Sequence, residues 1–197
     1  MIIQQTVVHI VMTGAPASGK TGFLERLAQE PQLSGFVFLP ELARQIISEQ
    51  PELRDNWPAF HEQIYLRQVK REQELKETPF LTDRGTVDAF AFHRETMKHF
   101  NTSLSLEYKR YTAVIQLGSS AALGEEYYRT DEIRTESTDE ALAIERALKK
   151  VWSDHPHYCF VAPNKDFEAK YEECKRIVLL CAGRLEKMNN PEGKSSN

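Results

Sequence analysis

The chain has 197 residues, 41% hydrophobic and 27% charged, enough for one folded unit with a sizeable core. Its 25 Lys and Arg against 29 Asp and Glu give a formal net charge of −4, and the two signs interleave along the chain, which excludes the clustered positive field that DNA or RNA binding needs. No apolar run approaches the roughly 20 residues of a membrane span, the first residues lack the basic start of a signal peptide, and the three cysteines form no Cys-x-x-Cys pair; the expectation is a cytoplasmic protein with buried free thiols and no membrane partner.

Residues 7–13 are β-branched and largely apolar and predict a strand. Gly14, Ala15, Pro16, Ala17, Ser18, Gly19, Lys20 and Thr21 follow, matching the phosphate-binding pattern G-x-x-x-x-G-K-[ST] at every defined position. Residues 22–28 then carry Phe23, Leu24, Leu27 and Ala28 at helical spacing. Strand, loop and helix in this order point backbone N–H groups and a helix N-terminus at a polyphosphate. Lys20 would supply a full charge to the β- and γ-phosphates, and the Thr21 hydroxyl would ligate Mg²⁺. The ligand implied is a nucleoside triphosphate.

A second strand is expected over 35–39, ended by Pro40, which opens a helix over 41–47. A loop near Pro51 to Pro58 precedes a long helix at about 57–77, and residues 80–82 form a short strand that delivers Asp83-Arg84-Gly85 at its carboxyl end. Helices are expected over 87–99 and 105–110, with Asn101 as the break, then a strand over 112–117. Residues 118–135 are polar and rich in Tyr and Arg and read as a mobile lid, extending to about 136. Ser137 with Glu140 fits a capping box for a helix over 139–152, a fifth strand spans 157–161, and Phe167, Tyr171, Cys174, Val178, Cys181 and Leu185 form the apolar stripe of a last helix. The alternation predicts a three-layer α/β fold of the P-loop NTPase type: a five-stranded parallel sheet with helices on both faces in one domain over 1–188, followed by a disordered polar tail at 189–197. Ligands then sit at the carboxyl ends of the strands.

Asp83 is followed by Arg84, where hydrolytic P-loop machines carry a water-activating Glu, so Asp83 could serve the Mg²⁺ shell while Arg84 points to an anionic second substrate. Asn164-Lys165-Asp166 places its acid one residue too early for guanine recognition; Pro163 and Asn164 suit an adenine-side loop or an ordinary capped turn.

The order of phosphate loop, Pro40-Glu41-x-x-Arg44, Asp83-Arg84-Gly85 with Asp88, and an Arg-bearing lid resembles the small P-loop kinases over about residues 5–185. It is most similar to the nicotinamide riboside kinase domain of the bacterial NAD regulator and related AAA-type ATP-binding domains, and more distantly to thymidylate kinase. The resemblance implies ATP- and Mg²⁺-dependent phosphotransfer to a small hydroxylated acceptor such as a nucleoside, nicotinamide riboside or a nucleotide. It implies Lys20, Asp83, Arg129 and Arg134 as charge-handling catalytic residues, Glu41 as proton acceptor, and Glu41, Arg44, Phe60, Gln63 and Arg84 around the acceptor. The alternative is a nucleotide-gated binding module or slow ATPase or GTPase with no small-molecule acceptor. Monomer and homodimer are both compatible with the sequence.

Overall fold

The β-branched run before the phosphate loop forms β1 (His9–Gly14), the central strand of an all-parallel sheet in this computed structural model, which describes residues 7–128 and 136–183. It pairs with β3 (Phe80–Asp83) on one side and with β4 (Ala113–Leu117) on the other. The short β2 (Val37–Leu39) and β5 (Tyr158–Val161) close the order β2-β3-β1-β4-β5. From β1 the chain crosses towards β2, whereas from β3 it crosses back over β1 to β4. The reversal therefore falls between β1 and β3, and a parallel sheet opens its ligand crevice at that point.

Alternation along the strands supplies two layers of core. Ile10 and Met12 of β1, Leu81 of β3, and Ile115 and Leu117 of β4 pack against α1 (Lys20–Leu27) and α8 (Phe167–Cys181) through Phe23, Leu27, Tyr171, Cys174 and Val178. On the opposite face Val11, Phe80 and Val114 pack on Trp152, the last residue of α7 (Thr138–Trp152). The three-layer α/β architecture of the P-loop NTPase class is thereby present, with helices on both faces.

The capping box is formed: the Ser137 hydroxyl accepts from Glu140 N and the Glu140 carboxylate accepts from Ser137 N. The other helices are α2 (Leu42–Glu49) and α3 (Trp57–Glu74), the latter capped by the Asn56 side chain. The single helix expected over 87–99 is instead broken into α4 (Asp88–Phe92) and α5 (Arg94–Met97), because His93 leaves the helical region with φ −149° and ψ 66°. After one 3₁₀ turn, α6 (Leu104–Tyr108) starts from the Ser103 cap. The last helix is capped by Asp166, whose side chain accepts from Glu168 N and Ala169 N, and Phe167 is 48% exposed rather than part of the buried stripe; Leu185 lies outside the described residues.

Residues 118–128 make up the first part of the expected lid. They form two 3₁₀ turns, Ser120–Leu123 and Glu125–Tyr127, and Ala121 and Tyr128 are buried against Ala141 and Ala17. Small apolar side chains at 121 and 141 let this connection lie flat on the phosphate loop. The rest of the expected lid, 129–135, and the expected tail, 189–197, are outside the described residues.

Candidate functional site

The phosphate loop leaves β1 through Gly14, whose neighbours allow no side chain: a Cβ there would lie 2.5 Å from Leu117 O and 2.7 Å from Ser18 Oγ. Ala17 and Gly19 adopt left-handed φ values of 57° and 92°, which turn the chain into α1. Lys20 is 8% exposed and folds back over its own loop, donating to Gly14 O at 2.9 Å, Ala15 O at 3.2 Å and Ser18 Oγ at 3.3 Å. Burial, then the nearby Arg84 charge, lowers its pKa. Thr21 sits exposed in the first turn of α1.

Beside the loop, β3 carries Asp83 level with Met12 of β1. The carboxyl is 1% exposed, and neither oxygen has a hydrogen-bond partner among the described residues. Burial pushes its pKa up, opposed by Lys20 and Arg84 and reinforced by Glu41 and Asp88. A buried, unsatisfied carboxylate beside a phosphate loop fits a hard cation or its waters, the arrangement Mg²⁺ takes with a nucleotide's own oxygens. Asp83 and Thr21 would hold that ion, which would spread charge away from the transferring phosphoryl oxygens. Among the described residues there is no cluster of three or more His, Cys, Asp or Glu able to hold a metal by themselves.

Arg84 has φ +69°, a left-handed value uncommon outside glycine. Its carbonyl accepts from the Thr82 hydroxyl at 2.9 Å and from Gln68 Nε2 of α3 at 3.3 Å, and its N–H donates to Met12 O at 2.9 Å. Gly85 follows because a Cβ there would lie 2.9 Å from Val11 Cγ2 and 3.1 Å from both Trp152 and the Tyr111 hydroxyl. This backbone turn aims the guanidinium at Glu41 Oε1, 2.7 Å away, and at Asp88 Oδ2, 3.4 Å away. Asp88 is itself fixed by Thr13 Oγ1 at 2.8 Å and Trp152 Nε1 at 2.6 Å. Burial raises the Glu41 pKa, but Arg84 and Lys20 overcome that and leave it below the ordinary carboxylate range, so Glu41 is ionised at neutral pH.

The structure thus brings Lys20, Glu41, Asp83 and Arg84 together. Arg44, in contrast, is exposed on α2. Phe60 is buried with Leu42 and Ile46, which makes its ring core rather than an open stacking surface; Gln63 is half-buried one turn along α3. A stacked aromatic column lies beside it: Arg84 sits 4.9 Å over the Phe92 ring, Phe92 stacks on His61, and His61 stacks on Trp57, itself 59% exposed. Pro163 and Asn164 form the turn after β5, with Asn164 Oδ1 accepting from Asp166 N. Arg129 and Arg134 lie outside the described residues. Sequence reasoning gave no role to Gln68, Thr82, Trp152, Ser119 or Lys170; each looks ordinary in the chain and gains its part from a partner far away in sequence.

A family profile described as an AAA domain matches residues 9–170, most of the chain and all five strands. The chain belongs to the AAA domain family. Nucleotide binding through the phosphate loop is what this membership supports, and the matched span includes Gly14 to Thr21, Asp83 and Lys170. No curated protein matches this AAA domain. Among its described residues no helix is long and apolar enough to cross a membrane.

Proposed function

We propose that this AAA domain is an ATP- and Mg²⁺-dependent phosphotransferase acting on a small hydroxylated acceptor, a nucleoside, nicotinamide riboside or a nucleotide, within a single unit spanning 1–188. The observation that carries the reading is the group formed by Glu41, Asp83, Arg84 and Asp88 at the strand ends beside Lys20. A loose, anionic phosphoryl transition state is stabilised by positioned cations and by a carboxylate that receives the hydroxyl proton. Lys20 and Arg84 serve as the cations. Glu41, ionised at neutral pH and hydrogen-bonded to Arg84, receives the proton from the acceptor hydroxyl as the new P–O bond forms and the bond to the leaving diphosphate oxygen breaks. Arg84 occupies the place where a hydrolytic machine has its water-activating Glu, which favours transfer to an acceptor over hydrolysis. The exposed Trp57 ring at the end of the Phe92–His61–Trp57 stack offers an apolar face for a planar ring on the acceptor. Arg129 and Arg134 remain proposed as further cations, and Pro163 and Asn164 as adenine-side contacts.

The test is ADP formation from Mg–ATP across a panel of nucleosides, nucleotides and sugars. The expected result is stimulation by one class of acceptor, with the phosphorylated product identified by mass. Tight ATP binding with no acceptor raising turnover would overturn the transferase reading. That outcome would favour a nucleotide-gated module or slow NTPase, a reading favoured by the way Ser119 and Ser120 are bonded to the phosphate loop.

A further inference from the structure

Five successive carbonyls of the phosphate loop each accept a hydrogen bond. Lys20 serves Gly14 and Ala15. The Ser119 hydroxyl donates to Pro16 O at 2.6 Å, Ser120 N donates to Ala17 O at 3.2 Å, and Lys170 Nζ donates to Ser18 O at 2.8 Å. In a planar trans peptide the carbonyl and the following N–H point in opposite directions. Tying the oxygens of 16, 17 and 18 to one side therefore turns the N–H groups of 17, 18 and 19 to the other, where an anion is received. Lys20 must leave its two carbonyls to reach a phosphate, but the other three ties are made by Ser119, Ser120 and Lys170 and do not depend on it.

Lys170 is the charged member of this set. It projects from α8, is 5% exposed, and donates also to Gly118 O at 2.6 Å, so one ammonium joins the phosphate loop to the end of β4. The ionisable groups facing it are Cys174 on its own helix, Glu145 on α7 and Lys20 on α1; the Phe23 ring lies 6.0 Å away. Glu145 is engaged elsewhere, accepting from Ser119 N. Nothing in the proposed phosphotransfer uses Lys170.

We infer that Lys170 is a positioning residue for the nucleotide's phosphates: a fixed cation beneath the loop that holds the Ser18 carbonyl outward and adds positive potential to the cradle without touching the ligand. This rests on nucleotide binding and is independent of whether an acceptor is phosphorylated. A buried cation hydrogen-bonded to backbone carbonyls raises the local potential more than a surface lysine. Burial pushes the Lys170 pKa down to about 8, so its charge is present at neutral pH and is lost above it.

The experiment measures Mg–ATP and adenosine affinities by calorimetry from pH 7 to 9.5 for the full chain, Lys170→Met and Lys170→Arg. At pH 7, Lys170→Met is expected to weaken ATP about tenfold and leave adenosine unchanged. Because Lys20 is common to both proteins, the ratio of their ATP affinities isolates Lys170, and it should fall towards one as the pH passes 8. Lys170→Arg, which stays charged, should hold its ATP affinity at pH 9.5 where the parent chain loses it; this comparison carries the test should Lys170→Met fail to fold. A ratio independent of pH, or equal losses for ATP and adenosine, would reduce Lys170 to a packing residue and overturn the inference. Absence of ATP binding by the parent chain at every pH would overturn the nucleotide reading along with it.

Discussion

The Arg84 guanidinium donates to Glu41 Oε1 at 2.7 Å, linking the residue that follows β3 to the one that precedes α2, 43 positions apart in sequence. The contact exists because Arg84 adopts a left-handed backbone, which Thr82 and Gln68 hold through its carbonyl. It places an ionised carboxylate beside the buried Asp83 and leaves the two acids with different charge environments.

Glu41→Gln keeps the size and a hydrogen bond to Arg84 while removing the proton acceptor. Phosphotransfer should fall by about 10²-fold or more with ATP affinity little changed, measured as steady-state turnover against calorimetric binding. Unchanged turnover would remove Glu41 from the chemistry.

Asp83 pulls the other way. Burial raises its folded pKa, so at neutral pH its charge costs folding stability, and that cost shrinks as the pH falls. Asp83→Asn should raise the melting temperature of the nucleotide-free protein by about 2–4 °C and abolish Mg²⁺-dependent turnover. A lower melting temperature would mean the carboxylate is held by contacts that the fold depends on.

Gly85→Ala should destabilise by about 1–3 kcal/mol, since the added methyl meets Val11, Trp152 and the Tyr111 hydroxyl together. Gly35 has φ +126° with open space around it, so Gly35→Ala shows the cost of backbone conformation alone. Urea denaturation of the two separates steric crowding from backbone strain.

His61 is held neutral down to about pH 4, chiefly by burial and then by the neighbouring His93 and Arg84. The unfolded chain binds this proton near 6.5, so the stability His61 provides is full above 6.5 and is lost as the pH falls from 6.5 towards 4. His61→Phe should keep the ring stack and flatten the melting-temperature profile in that window relative to the parent chain. Superimposable profiles would show that His61 does not titrate as its surroundings imply.

The elements legible in the sequence are those set by local rules. The phosphate loop was readable because its glycines, Lys20 and Thr21 lie within eight consecutive residues, and the α7 start was readable because Ser137 and Glu140 cap each other within one turn. The break at His93 was not, since apolar spacing continued through a residue whose backbone leaves the helix. Phe60 and Phe167 show the same limit: an aromatic at helical spacing became core at 60 and surface at 167, according to what lies opposite.

By itself the sequence determined a parallel α/β sheet with a phosphate loop after its first strand, since pattern period and backbone chemistry are local properties. Only the tertiary structure decided that Arg84 would grip Glu41 and Asp88, that residues 118–128 would lie on the phosphate loop, and that Lys170 would reach Ser18 from 152 positions away. Those choices depend on which strand ends the sheet order brings together and on which polar groups burial then obliges to find a partner.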